Sequence, residues 1–86
     1  MPIISTFYGI IIRMNFGDHN PPHFHAEYQG FQTAFEIRTG KMAAGEFPKS
    51  AKRLVEEWTK KNRGLLTANW KHAIAMEPLE RIPGME

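Results

Sequence analysis

Between Thr6 and Phe16 apolar side chains fall on every second position. Tyr8, Ile10, Ile12, Met14 and Phe16 form one set; Phe7, Gly9, Ile11, Arg13 and Asn15 form the other. Period two is the geometry of a β-strand, so the segment predicts one long strand, more buried at its start than at its end. Residues 17–22, "GDHNPP", interrupt it with turn formers and two prolines that lack an N–H donor. Alternation resumes at His23. Phe24, Ala26 and Tyr28 take one face, and His23, His25 and Glu27 the other. After a turn at Gln29–Gly30, Phe31, Thr33, Phe35 and Ile37 alternate with Gln32, Ala34, Glu36 and Arg38. A second turn around Thr39–Gly40 leads into a weakly specified fourth strand in "KMAAGEF".

The period then changes. Ala51, Leu54, Val55 and Trp58 stand at i, i+3, i+4 and i+7, one stripe of a helix that opens near Pro48 and closes before Gly64. A second helix is predicted from Leu65 to Met76, with Leu66, Trp70, Ala73 and Ile74 as its stripe and Pro78 as its stop. Strands grouped before helices predict an α+β domain: an antiparallel meander of three or four strands, packed on one face by two C-terminal helices. One domain spans 1–86, with strands over about 3–47, helices over about 48–76 and an irregular tail over 77–86. Trp58 and Trp70 are expected to meet Tyr8, Phe24 and Phe35. An unpaired sheet edge also makes a homodimer an expectation, since such edges invite pairing.

Composition narrows the class. With 86 residues, 42% of them hydrophobic and 12% aromatic, the chain is too apolar to be disordered. It lacks cysteine, which excludes disulfides and thiolate zinc sites. No basic leader or cleavage signal precedes the first strand. The longest apolar run there, Ile10–Ile12, is far too short to span a membrane, so the expected location is the cytoplasm.

The strand register sets the candidate chemistry. If the apolar set faces the helices, the opposite face carries Arg13, Asn15, His23, His25, Glu27, Gln32, Glu36 and Arg38. His23, His25 and Glu27 at i, i+2 and i+4 project the same way, with Asp18 and His19 on the loop before them. Three uses compete. Partner or ligand binding would draw on Asp18, His19, His23, His25 and Glu27. Acid–base catalysis would use His23 or His25, with Arg13 or Arg38 against a developing anion. A metal would take His23, His25 and Glu27, with Asp18 a further oxygen donor, but His-x-His is a weak signal and no metal is expected. The plainest use is a stiff turn whose polar side chains satisfy neighbouring backbone.

A second surface is basic. Residues 49–63 hold six Lys or Arg against Glu56 and Glu57. Lys49, Lys52, Arg53, Lys60 and Lys61 avoid the apolar stripe and are candidates for phosphate contact with RNA or DNA. The competing reading is a solvated face with Glu57–Lys61 pairing at i, i+4.

The strings "MPIISTFYGIIIRMNFGDHNPPHFHAEYQG", "FEIRTGKMAAGEFPKSAKRLVEEW", "NWKHA" and "EPLERI" resemble the small prokaryotic family known as domain of unknown function 4160. The resemblance runs from Pro2 to about Ile82. Its most specific part is "DHNPPHFHA", which falls on Asp18, His19, Pro21, Pro22, His23, Phe24, His25 and Ala26. The residues after Gly40–Lys41 are less polar than the family's pattern, which weakens any function placed on the fourth strand. The resemblance implies a protein encoded beside another small protein, in a toxin–antitoxin-like or regulatory pair. The expectation is therefore a cytoplasmic interaction module without cofactor, more a binder than an enzyme. It would bind the neighbouring gene's product, and RNA or DNA, away from any membrane. The alternative is a small histidine-dependent nuclease or hydrolase, metal-assisted in one form.

Overall fold

The computed structural model describes residues 1–85. The expected α+β class holds, with five strands where three or four were expected. They are β1 (Ile3–Phe7), β2 (Ile10–Arg13), β3 (His23–Tyr28), β4 (Phe31–Glu36) and β5 (Met42–Ala44), followed by α1 (Lys49–Lys61) and α2 (Arg63–Ile74). The strands form one antiparallel sheet in chain order, a simple meander.

The extra strand arises because the predicted long first strand is a hairpin. Tyr8 and Gly9 both have positive φ, 50° and 78°, and Phe7 pairs with Ile10. Two left-handed residues make the tight turn whose twist suits a hairpin, and glycine enters that region without a Cβ clash. Across the two-residue turn the cross-strand partners Phe7 and Ile10 share a face, so the parity reverses. Ile10, Ile12 and Met14 are fully buried as expected, and Phe7, expected on the opposite face, joins them in the core. Tyr8 and Phe16 are not core residues: they are 58% and 40% exposed, Tyr8 at the hairpin tip and Phe16 beyond the end of β2.

The core lies between the sheet and the helices. The Phe24 and Phe35 rings stack at 5.7 Å on adjacent strands, and Trp58 of α1 meets Phe24 edge-on and Phe7 at 5.1 Å. Ala51, Val55 and Trp58 form the buried face of α1; Leu66, Asn69, Trp70 and Ala73 form that of α2. Ile74, expected in the second stripe, is exposed instead. Gly64, expected beyond the first helix, lies in the first turn of α2, because Asn62 alone separates the helices. The Asn62 backbone N–H and side-chain amide both donate to the Trp58 carbonyl at the end of α1.

The tail is ordered along the sheet edge. The Ile82 N–H donates to the Ile4 carbonyl, Trp58 Nε1 donates to the Pro83 carbonyl, and the Asn69 amide bonds both backbone groups of Glu80. The outer side of β1 is therefore occupied around Ile4. At the other edge β5 has three residues, tied down where the Thr33 hydroxyl donates to the Ala44 carbonyl. Among the described residues, no helix is long and apolar enough to cross a membrane.

Candidate functional site

The loop from Met14 to Pro22 and the start of β3 build one polar cluster. The Gly17 N–H donates to the Ala73 carbonyl at 3.0 Å, which anchors the loop on the end of α2. The Asn20–Pro21 peptide is cis. The Ile37 N–H then bonds the Pro22 carbonyl and fixes the loop's exit into β3. Asp18 thereby returns over the first residues of the strand. Asp18, His23 and His25 each present a donor atom within 4.8 Å of the others.

Each member is held by identifiable partners. Asp18 Oδ1 accepts from the His19 N–H at 2.9 Å, which leaves Oδ2 facing the strand. Oδ2 lies 3.0 Å from His23 Nε2. His23 Nδ1 is 2.8 Å from the Pro21 carbonyl, which can only accept, so Nδ1 carries a proton. The His23 and His25 rings meet edge to face at 5.3 Å. Asn15 Nδ2 spans the other side, 3.4 Å from Asp18 Oδ2 and 3.5 Å from His25 Nε2.

Two of the three groups are shifted. The Asp18 carboxyl is held below its usual value chiefly by the His19 N–H, against opposing desolvation, with Asn15, His23 and the His19 ring adding to the lowering. The His25 imidazole is pushed down mainly by burial and further by His23, with Asp18 acting the other way. At neutral pH the cluster is thus a carboxylate facing a neutral His25.

The sequence placed His23, His25 and Glu27 together; the structure joins Asp18 to the two histidines and sets Glu27 apart. Glu27 Oε2 accepts from Arg13 Nε at 2.7 Å, and Arg13 Nη1 also donates to the Met1 carbonyl. Arg13 is therefore committed to structure beside the cluster. His19 is 91% exposed at its side chain and sits on the outer side of Asp18. Arg38 is exposed and lines a separate cleft of about 450 Å³ with Pro21, Pro22, Glu36, Ile37, Arg63 and Thr67. His72 is on α2, paired with Glu77 at 2.8 Å.

Two members were not singled out from sequence. Asn15 was placed on the correct face but given no role, although its parity with His25 was a usable signal. Trp70 is buried in the core as expected, and its ring also lies 5.3 Å from that of His23. The face expected to be open is closed at this end, leaving the His23 side chain 13% exposed.

The basic residues occupy the opposite side of the molecule. The apolar stripe of α1 packs on the sheet face that carries Phe24, whereas His25 and Glu27 project from the other face. Lys49, Arg53, Lys60 and Lys61 are exposed and Lys52 partly so. Among the described residues none of the five is in an ion pair, and the Glu57–Lys61 pair is not formed.

A family model described as "Domain of unknown function (DUF4160)" matches residues 9–71. That span includes the whole polar cluster and most of both helices. No curated protein and no solved structure matches the chain.

Proposed function

From the premise that the chain belongs to the DUF4160 family, we propose that it is a two-sided interaction module of a toxin–antitoxin-like or regulatory gene pair. One side binds the protein encoded by the neighbouring gene; the other binds RNA or DNA in the cytoplasm. The observation that carries this reading is the opposition of two unlike surfaces on so small a domain. The sheet face around Arg13, Glu27 and Gln32 has no helix over it. The outer side of α1 presents five basic side chains without acidic partners among the described residues.

Unpaired lysines and arginines on one helix face suit phosphate contact, because they release counterions without first breaking protein ion pairs. The helix face contributes no aromatic platform, since Trp58 is fully buried. Binding there would track backbone charge more than sequence. Affinity for duplex DNA should fall with salt at a log–log slope of about −3 or steeper if three or more phosphates are engaged. Lys60→Glu with Lys61→Glu should remove most of that binding while leaving co-purification with the neighbouring protein intact. A flat salt response, together with no co-purification after co-expression, would sink both halves of the proposal.

One observation favours a second reading, a histidine-dependent nuclease or hydrolase. Asp18, His23 and His25 converge at one end of the sheet, with His25 held in its neutral, basic form. Such a group can accept a proton near neutral pH. Purified protein would then degrade RNA or another phosphodiester, and His25→Ala would abolish it. Turnover that survives this substitution would remove His25 from the chemistry.

A further inference from the structure

We propose that Asp18, His23 and His25 form a binding site for one divalent first-row transition-metal ion, held by Asp18 Oδ2, His23 Nε2 and one ring nitrogen of His25. The inference stands independently of both functional readings above, since it concerns what the cluster binds.

The first argument is the spacing. The three donors lie within 4.8 Å of one another. Ligands at about 2.0–2.1 Å from a tetrahedral ion sit roughly 3.3 Å apart, so small side-chain rotations close the set. The second argument is a lone-pair conflict. His23 Nδ1 must donate to the Pro21 carbonyl, so in a neutral His23 the lone pair on Nε2 points at Asp18 Oδ2, 3.0 Å away. Two acceptors at hydrogen-bond distance repel unless a proton or a cation lies with them. A metal ion resolves the contact and draws in His25 as well, which a single shared proton does not.

The third argument is the outer support. Imidazoles that ligate a metal through one nitrogen commonly donate the other N–H to a carbonyl or carboxylate. His23 does this with Pro21. The ligating carboxylate is usually hydrogen-bonded in turn, and Asp18 Oδ1 is bonded by the His19 N–H. Trp70 packs against the His23 ring at 5.3 Å and limits its rotation. Two imidazoles and one carboxylate suit zinc, nickel, cobalt or ferrous iron better than magnesium or calcium, which prefer oxygen. Three protein ligands leave at least one coordination position for water or a partner's group. The candidate set is local: two ligands come from alternate residues of β3 and the third from the loop that the two prolines turn back.

The test uses the untagged full chain with Zn²⁺ and Co²⁺ as probes. Calorimetry should give one Zn²⁺ per chain. Asp18→Asn and His25→Ala should each weaken Zn²⁺ at least about tenfold, whereas His19→Ala and His72→Ala should change it less than about threefold. Bound Co²⁺ should show visible absorption of a low-coordinate nitrogen and oxygen site. Long-range ¹H–¹⁵N spectra of the unsubstituted protein read the ligands directly, so the result does not depend on any variant folding. Zn²⁺ should shift the His23 and His25 imidazole nitrogens and leave those of His72 in place. Less than about a tenth of an equivalent bound at 100 μM Zn²⁺, or imidazole shifts confined to His19 and His72, would overturn the proposal.

Discussion

His25 is a half-buried imidazole, and its depressed protonation makes stability depend on pH. In the unfolded chain it titrates near pH 6.5; in the folded chain burial, then His23, moves that value down. Between the two values the unfolded chain binds more protons, so this contribution is complete above about pH 6.5 and is lost as pH falls towards the folded value. Asp18 follows the same direction at a different place, because its contribution is lost only as pH falls below about 3.8. Urea midpoints measured from pH 8 to 5 should therefore decline, and His25→Phe should flatten that decline. A second residue-scale prediction concerns Ser5. Its hydroxyl is buried without a hydrogen-bond partner among the described residues. An unmade buried bond costs about 1–3 kcal/mol, so Ser5→Ala should leave stability unchanged or raise it by about 1 kcal/mol in urea unfolding.

At the scale of elements, the tail behaves as a strap across β1. Asn69 supplies both hydrogen bonds to Glu80, and its side chain is buried on α2. Asn69→Ala would orphan both backbone groups and should cost about 2 kcal/mol or more. Gly84 admits no side chain, because a Cβ there would stand 2.5 Å from the Thr6 carbonyl oxygen. Gly84→Ala should therefore lift the strap, since the new Cβ would also press on Phe7 beneath it. Trypsin cleavage after Arg81 should become faster in both variants than in the unsubstituted chain. Unchanged cleavage would mean that the strap does not control access to that bond. The helices depend less on their ends than on their inner faces. Neither has a side-chain N-cap or an acidic residue in its first turn. Their stability must come from the packed stripe, as is usual for short amphipathic helices.

Across the whole molecule, Trp58 joins three parts of the fold. Its ring touches Phe7 of β1 and Phe24 of β3, and its indole N–H holds the tail at Pro83. Replacing such a residue by alanine typically costs about 3–5 kcal/mol. A domain of this size has on the order of 4–13 kcal/mol in total. Trp58→Ala should consequently be unfolded or nearly so at 37 °C by circular dichroism, whereas Trp58→Phe should fold with a lower urea midpoint. The same scale bears on assembly. With β1 strapped at one edge and β5 short at the other, edge-to-edge pairing finds little free backbone.

The sequence by itself determined the α+β class, the order of elements and the facing of most residues in β2, β3 and β4. These follow from period two and period 3.6, which are properties of local backbone geometry. Thus Ile10, Ile12, Phe24, Ala26 and Phe35 could be assigned to the core, and His25 and Glu27 to the opposite face, before any fold was known. The same locality hid the Tyr8–Gly9 turn, because Tyr8, apolar but exposed at the tip, continues the set of Ile10 and Ile12, whereas the parity reverses there and brings Phe7 into the core. Tertiary structure alone decided which polar residues meet. Glu27 shares a face and a strand with His23 and His25, yet Arg13 across the sheet captures it. Asp18, on a loop with no periodic signal, joins the histidines because α2 holds Gly17 and the chain turns back through Pro21 and Pro22. The basic helix and the histidine face lie on opposite sides, as the strand register implied, because the core must separate them. Side-chain direction is set within a few residues; side-chain company is set by whatever the fold brings across space.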